Sequence, residues 1–362
     1  MIRNESSALS RIAYRLTILV LVSFILIYAQ SLLIPLAWAL VISLASMRLV
    51  TRIHERTHLP YSLTIILFIL GLLLIFGAVI FFFYLELLGL LSDLGLMQEK
   101  LSLVMHDLSL KLKGMGVDVP DHFDPVYFKG IVSQHNDMVI GLISSVGVNL
   151  WNVLLTLFYV FFLLYYKDSL LLFARRRFKE EAAYLKFRKI VTDTLGISQQ
   201  YIAGMGILGL ITSVMSYLTF LLLGIKSALF FAVFFGFLSL IPVVGVPVGV
   251  VIIAFFTLLT KDSALSTLYV VVALILLNFL QDNVFRPMVM GTKMEVNAFA
   301  IFFFVIAGGF FWGVSGMILF IPLASIIKIL LDHSEHGSHY TVFLTELPKK
   351  EKKQKIKSAK EL

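Results

Sequence analysis

No cysteine occurs in the 362 residues, which excludes disulfides and any thiolate metal centre. Charge is scarce too: Asp, Glu, Lys and Arg make up 14% of the chain, against 59% hydrophobic residues and a mean hydropathy of +0.95. A soluble domain carries about a quarter charged residues, so a water-soluble globular fold is excluded. No Walker loop, HExxH or GxSxG stands in the sequence, which leaves ATP-driven transport and hydrolase chemistry without support. Accordingly the sequence nominates no catalytic residue, no cofactor and no metal site, and the expectation is a protein that is not an enzyme.

What the chain has instead is apolar runs long enough to cross a bilayer, which takes about 20 helical residues. LTILVLVSFILIYAQSLLI is followed by Pro35, which opens a second run with almost no loop between them. A third run covers residues 61–85 and a fourth residues 146–166. Four more are expected near 196–224, 228–260, 265–281 and 298–331. The fold class is therefore all-α: a polytopic helical membrane protein of about eight transmembrane helices. No cleaved signal peptide is expected, because the first run leads straight into the second.

The net charge of +8 belongs to loops rather than to nucleic-acid binding. Residues 86–145 carry four lysines against eight carboxylates, a net −4, and read as an amphipathic segment outside the cytoplasm. Residues 167–189 hold Lys167, Arg175, Arg176, Arg177, Lys179, Lys186, Arg188 and Lys189 against Asp168, Glu180 and Glu181, a net +5. The alternation, with Arg48, Arg52 and Arg56 before the third run and a Lys-rich tail at 333–362, puts both termini in the cytoplasm. The expected organisation is membrane helices in 1–85, the acidic segment 86–145, one helix in 146–166, the basic segment 167–195, and a C-terminal bundle over 196–332.

Two of the last runs are interrupted, so the C-terminal half is expected to hold broken or re-entrant segments. IPVVGVPVG contains Pro242, Gly245, Pro247 and Gly249; the last run contains Gly308, Gly309, Gly313, Gly316 and Pro322. Proline removes a backbone donor and clashes with the preceding turn, so these helices must bend, break or re-enter. Interrupted helices in pairs point to transporter substrate sites. GFLSLIPVVG and GMILFIPLAS share a G…IP pattern that hints at a repeat.

Between the two lies NFLQDNVFRP. Asn278, Gln281, Asp282 and Arg286 are spaced i, i+3, i+4 and i+8, on one helix face. Asp282 and Arg286 can pair, and Pro287 should end the helix at Arg286. A solvated helix end is the plain reading; a polar pathway inside the membrane is the functional one, since charges at depth are paired or functional. The candidate pathway is Asn278, Gln281, Asp282, Arg286, Pro242, Gly245, Gly249, Gly308 and Gly309. GMGILG at 204–209 satisfies a dinucleotide spacing but lacks the preceding strand, so close helix packing is expected there. His333, His336 and His339 read as a solvated segment.

In sum these motifs resemble the autoinducer-2 exporter family of bacterial inner-membrane transporters, through Gly204, Pro242, Gly245, Pro287, Gly291, Gly316 and Pro322. Ala203 and Ala298 stand where that family often has arginine and proline. The resemblance implies a multi-pass inner-membrane homo-oligomer that exports a small molecule such as autoinducer-2, coupled to H+ or Na+. A sodium/proton antiporter on the same scaffold is the alternative, with Asp282, Glu86 and Glu295 as candidate carboxylates. A membrane scaffold whose basic segment binds lipid or a partner is the third reading.

Overall fold

The computed structural model of the chain describes residues 2–92, 135–178, 180–261, 263–290, 297–332 and 344. Among them all regular structure is helical, as lipid requires of backbone that cannot hydrogen-bond to water. In chain order come α1 (Ile2–Tyr28), α2 (Gln30–Thr57), α3 (Tyr61–Ser92), α4 (His135–Tyr165), α5 (Lys167–Arg177) and α6 (Glu181–Leu222). Then follow α7 (Ala228–Leu238), α8 (Gly245–Lys261), α9 (Ala264–Leu280), α10 (Arg286–Met290) and α11 (Ala298–Asp332). Five stretches are long and apolar enough to cross a membrane: α2, α3, α6, α9 with its continuation to Val289, and α11, the last of them broken within its length at Trp312 and Gly313. The bent pair α4–α5 makes a sixth, and Leu16–Tyr28, α7 and α8 are shorter apolar helices. The acidic segment falls largely on 93–134, and the Lys-rich tail and the three histidines on 333–343 and 345–362; these lie outside the described residues.

Local chemistry sets the breaks. Ser263 caps α9, its hydroxyl accepting from the Ser266 amide at 3.2 Å, and Asn297 caps α11 through Oδ1 and the Ala300 amide at 2.7 Å. Such caps satisfy donors that a helix start leaves unpaired. His58 ends α2 in the left-handed region, φ 55°, and Pro60 bars continuation. The first two helices part at Ala29 rather than at Pro35, which sits buried inside α2. Both Leu32 and Leu33 donate to the Ala29 carbonyl there, so the chain bends without opening a loop.

The long helix α6 is the spine. Gly209 on α6 and Gly236 on α7 let the two backbones touch: a Cβ on Gly236 would collide with Ser213 Oγ and lie 2.8 Å from the Gly209 carbonyl. Small residues of this kind drive close helix packing in lipid; of the glycines in GMGILG, Gly209 plays that role, whereas Gly206 faces open space. Phe220, Phe231, Phe235, Ile253, Val270 and Leu274 fill the core that α6 shares with α7, α8 and α9.

Both interrupted runs are hairpins, which settles the choice left between bending, breaking and re-entry. A Cβ on Gly245 would collide with the Leu238 carbonyl oxygen, and one on Gly249 would lie 2.7 Å from Phe235. Residues 7 and 14 apart would be about 10 and 21 Å apart along one straight helix, so α7 and α8 run antiparallel around residues 239–244. Likewise Gly308 meets the Gly316 backbone, and a Cβ on Gly309 would lie 2.7 Å from Met317. That second turn is made at Trp312 and Gly313, whose φ of 58° and ψ of −140° break α11 in two.

The hairpins enter from opposite ends of α6. The open end of the first lies beside the end of α6, where Lys261 Nζ donates to the Leu223 carbonyl at 2.6 Å, and its tip residue Leu240 reaches Gly209. The chain then returns along α9 until Phe285 and Val289 pack beside Tyr201 and Leu208, and the second hairpin starts from there. Its return limb meets Tyr201, whose hydroxyl lies 3.4 Å from the Ile318 carbonyl. Its tip is held by α1 and α2, with Trp312 Nε1 donating to the Leu26 carbonyl at 2.9 Å and Trp38 Nε1 to Ser315 Oγ at 3.2 Å. The shared G…IP pattern does not mark equivalent positions: Pro242 sits at the first tip, whereas Pro322 is buried nine residues beyond the second turn at Gly313.

Candidate functional site: a polar cleft at the first hairpin tip

The helix does not end at Arg286. Residues Gln281–Phe285 form a turn of π-helix, closed by the Arg286 amide donating to the Gln281 carbonyl, and helix continues through Pro287 to Met290. The reason is steric: a proline ring clashes with the carbonyl four residues back, here that of Asn283, and the wider π turn moves that carbonyl aside. Asn283 Nδ2 donates to the Phe279 carbonyl at 2.8 Å, which satisfies an acceptor at the edge of the irregular turn. Turns of this type are frequent at functional sites.

This turn faces the tip of the first hairpin across a cleft of about 510 Å³. Asn278, Gln281, Asp282 and Arg286 all line it, opposite Ser239 and Pro242, with Val246 and Pro247 from the start of α8. The single face expected from their spacing is therefore present. Arg286 Nη2 and Nε both donate to Asp282 Oδ1, at 2.8 and 3.1 Å. The pair is about half exposed, 46% for Arg286 and 44% for Asp282, so it borders the cleft rather than lying under it.

Gln281 is different, with 3% exposure. Its Oε1 accepts a 2.6 Å hydrogen bond from Thr212 of α6, itself 4% exposed. That leaves the amide nitrogen as the part of the side chain available to the cleft. Thr212 lies within α6 and Gln281 within the stretch Ala264–Val289, each long and apolar enough to cross a membrane.

Not every expected residue joins this cleft. Gly245 and Gly249 are buried between the limbs of the first hairpin; between those of the second, Gly308 is buried and Gly309 half-buried. These four glycines make the hairpins possible; they offer the cleft nothing. Glu86 lies on α3 away from the cleft, and Glu295 is outside the described residues. Thr212 and Ser239 escaped the sequence reading, since hydroxyls are common in apolar helices and nothing local ties Thr212 to a glutamine 69 residues on. Among the described residues no group of three metal-ligating side chains gathers.

The chain is thus a helical multi-pass membrane protein with two opposed hairpins and a polar cleft at the tip of the first. The sequence agrees: the model of the AI-2E family of transporters matches residues 16–336, and the chain belongs to that family. Among its relatives, a Bacillus subtilis protein named for transport, YrrI, is 28% identical over 149 residues, 41% of this chain and 40% of YrrI. A Synechocystis protein similarly named, sll0063, is 28% identical over 228 residues, 56% of this chain and 54% of its own. The Escherichia coli AI-2 transport protein TqsA is 31% identical over 84 residues, 23% of this chain and 24% of TqsA. The chain thus spans about a quarter to a half of the lengths of these relatives.

Proposed function

We propose that this protein is a secondary transporter that exports a small polar solute, such as autoinducer-2, through the cleft between Pro242 and the Gln281 turn. The observation that carries the proposal is the convergence of the first hairpin tip with four polar side chains, Asn278, Gln281, Asp282 and Arg286, on one cleft. Irregular backbone in a membrane-spanning bundle is tolerated only where it is buried in protein or lines a cavity, and here it borders one. The names of the family and of TqsA support the substrate class. A second reading, sodium/proton antiport, has one supporting observation: Asp282 is a carboxylate on the cleft wall.

The proposed setting is the bacterial inner membrane, as a homo-oligomer driven by a proton or sodium gradient. Both termini and residues 167–195 face the cytoplasm, and 86–145 the outside. Lys167 Nζ lies 3.4 Å from Thr51 Oγ1 and 4.5 Å from the centre of the Tyr61 ring. This supports one face for the two basic segments, as the charge alternation requires.

The test is reconstitution in liposomes with imposed proton or sodium gradients and autoinducer-2 as the solute. Asp282→Ala and Arg286→Ala should each cut the transport rate more than tenfold. A half-exposed pair contributes only about 0–1 kcal/mol to stability, so the yield of folded protein should barely change. Wild-type transport by both variants refutes the assignment of the cleft. Gradient-driven sodium flux without solute, lost in Asp282→Asn, would select the second reading.

A further inference from the structure

Helix α5 has no part in the cleft, and its chemistry is unusual for a segment outside the bundle. One residue, Tyr166, separates it from α4, and the two axes meet at 59°. None of its residues is buried. Leu170, Leu171, Leu172 and Phe173 are all exposed, and Arg175, Arg176 and Arg177 fill its last turn. Lys186, Arg188 and Lys189 follow on the first turns of α6, all exposed. Ion pairs among the described residues engage Arg286 and Lys328 and leave these cations out.

We propose that the α5–α6 corner binds the anionic headgroups of phospholipids in the bilayer the protein spans. Geometry carries this. The 11 residues of α5 are about 16 Å long, and a 59° bend leaves only about half of that along the α4 axis. With α4 crossing near the membrane normal, the three arginines sit about 8 Å beyond Lys167. The headgroup layer is about 5–8 Å deep on each side, and charge acts over about 8 Å at physiological ionic strength. A helix continuing straight from α4 would carry them twice as far.

Composition along α5 fits the same surface. Its apolar residues point to every side of the helix, at successive 100° steps, so a protein groove covering one face would leave the others in water. Acyl chains cover all sides at once. The corner is also braced: Arg175 lies 5.8 Å from the centre of the Tyr184 ring, and the Phe178 and Phe187 rings are 5.1 Å apart. A braced corner holds the cations at one level, which suits a plane of phosphates.

The experiment measures phospholipid retained by the purified full chain from mixed micelles of phosphatidylglycerol and phosphatidylcholine, by mass spectrometry. The wild type should retain phosphatidylglycerol preferentially. Each cation near an anionic surface is worth roughly fivefold, so replacing Arg175, Arg176 and Arg177 together by Gln should cut the preference at least tenfold. Replacing the same three by Lys should keep it. The Lys-rich tail is common to all variants and cancels. Should the triple Gln variant fail to fold, the single changes Arg175→Gln, Arg176→Gln and Arg177→Gln decide, each expected to cut the preference several-fold, with the preference of the wild type falling between 50 mM and 500 mM NaCl. No preference in the wild type, or one indifferent to both the Gln changes and salt, overturns the proposal. So does competition by free glycerol 1-phosphate at the lipid's own concentration, which would mark a soluble phosphate ligand.

Discussion

The hydrogen bond between Thr212 and Gln281 ties the spine of the bundle to the wall of the cleft, and its removal is the sharpest test of this architecture. Thr212→Val keeps shape and volume but deletes the hydroxyl, leaving Gln281 Oε1 without its donor at 3% exposure. Stranding a buried acceptor costs about 1–3 kcal/mol in general. In membrane proteins measured couplings are smaller, about 0.6 and at most about 1.7 kcal/mol, because the unfolded chain in lipid finds other partners. The short 2.6 Å distance and double burial place this bond towards the upper end, so a loss of about 1–1.5 kcal/mol is expected. Gln281→Leu should cost a similar amount, and the double variant little more than either, because no stranded polar atom remains.

The assay is reversible unfolding in mixed detergent micelles, read as a double-mutant cycle. A coupling near 1 kcal/mol supports the bond; distant, independent sites add within about 0.3–0.5 kcal/mol, and a coupling inside that band refutes it. Transport separates fold from function. The double variant should be stable yet impaired, having lost the amide that faces the cleft. Full activity in a stable double variant would remove Gln281 from the pathway.

Three further outcomes follow from the hairpins and the topology. Gly245→Ala forces a Cβ into the Leu238 carbonyl and should destabilise by about 1–3 kcal/mol or more, whereas Gly206→Ala on α6 meets open space and should gain about 0.5–1 kcal/mol; equal thermal stability of the two variants would refute the hairpin packing. Val243 holds a left-handed φ of 68° at the first tip while exposed; Val243→Gly should release strain and stabilise by about 1 kcal/mol, and a lower melting temperature would count against that turn. Because the chain has no cysteine, single cysteines report sidedness: Asp118→Cys should react with an impermeant external reagent and Thr57→Cys only in inverted vesicles, and the reverse pattern would overturn the proposed orientation.

The existence and type of the helices were legible because lipid leaves an apolar chain no other choice. The polar face was legible for a similar reason: Asn278, Gln281, Asp282 and Arg286 stand out against TLYVVVALILL, and helical spacing is independent of what packs on it. The breaks at IPVVGVPVG and GGFFWGVSG were legible as breaks, because Pro and Gly limit the backbone locally. What they become was not. A kink and a hairpin have the same local sequence, and only contacts such as Gly245 on Leu238 or Gly308 on Gly316 separate them. Those glycines looked like lining because a break near a site suggests exposure; their actual partners are the opposite limbs. Thr212 was illegible for a simpler reason, that a tertiary hydrogen bond leaves no trace in spacing.

The π turn shows how one residue can serve both fold and site. Pro287 would ordinarily have stopped the helix at Arg286, and a stop there would have sent the chain out of the bundle before Phe285 and Val289 reached Tyr201 and Leu208. Widening the turn lets the helix absorb the proline and still deliver those two side chains to the core. The same widening shifts where Asp282 and Arg286 emerge, yet they remain close enough to pair. Pairing leaves the cleft wall nearly neutral, so a charged solute gains little from it, while a neutral polyhydroxy solute can exchange hydrogen bonds with Asn278, the Gln281 amide and Ser239. A cleft of about 510 Å³ lies within the range of small-molecule sites, about 300–1,000 Å³. Size, polarity and charge are therefore what the proposed transport of a small polar solute draws on, and loss of Asp282 alone, as in Asp282→Ala, would leave Arg286 unpaired and turn the same wall cationic.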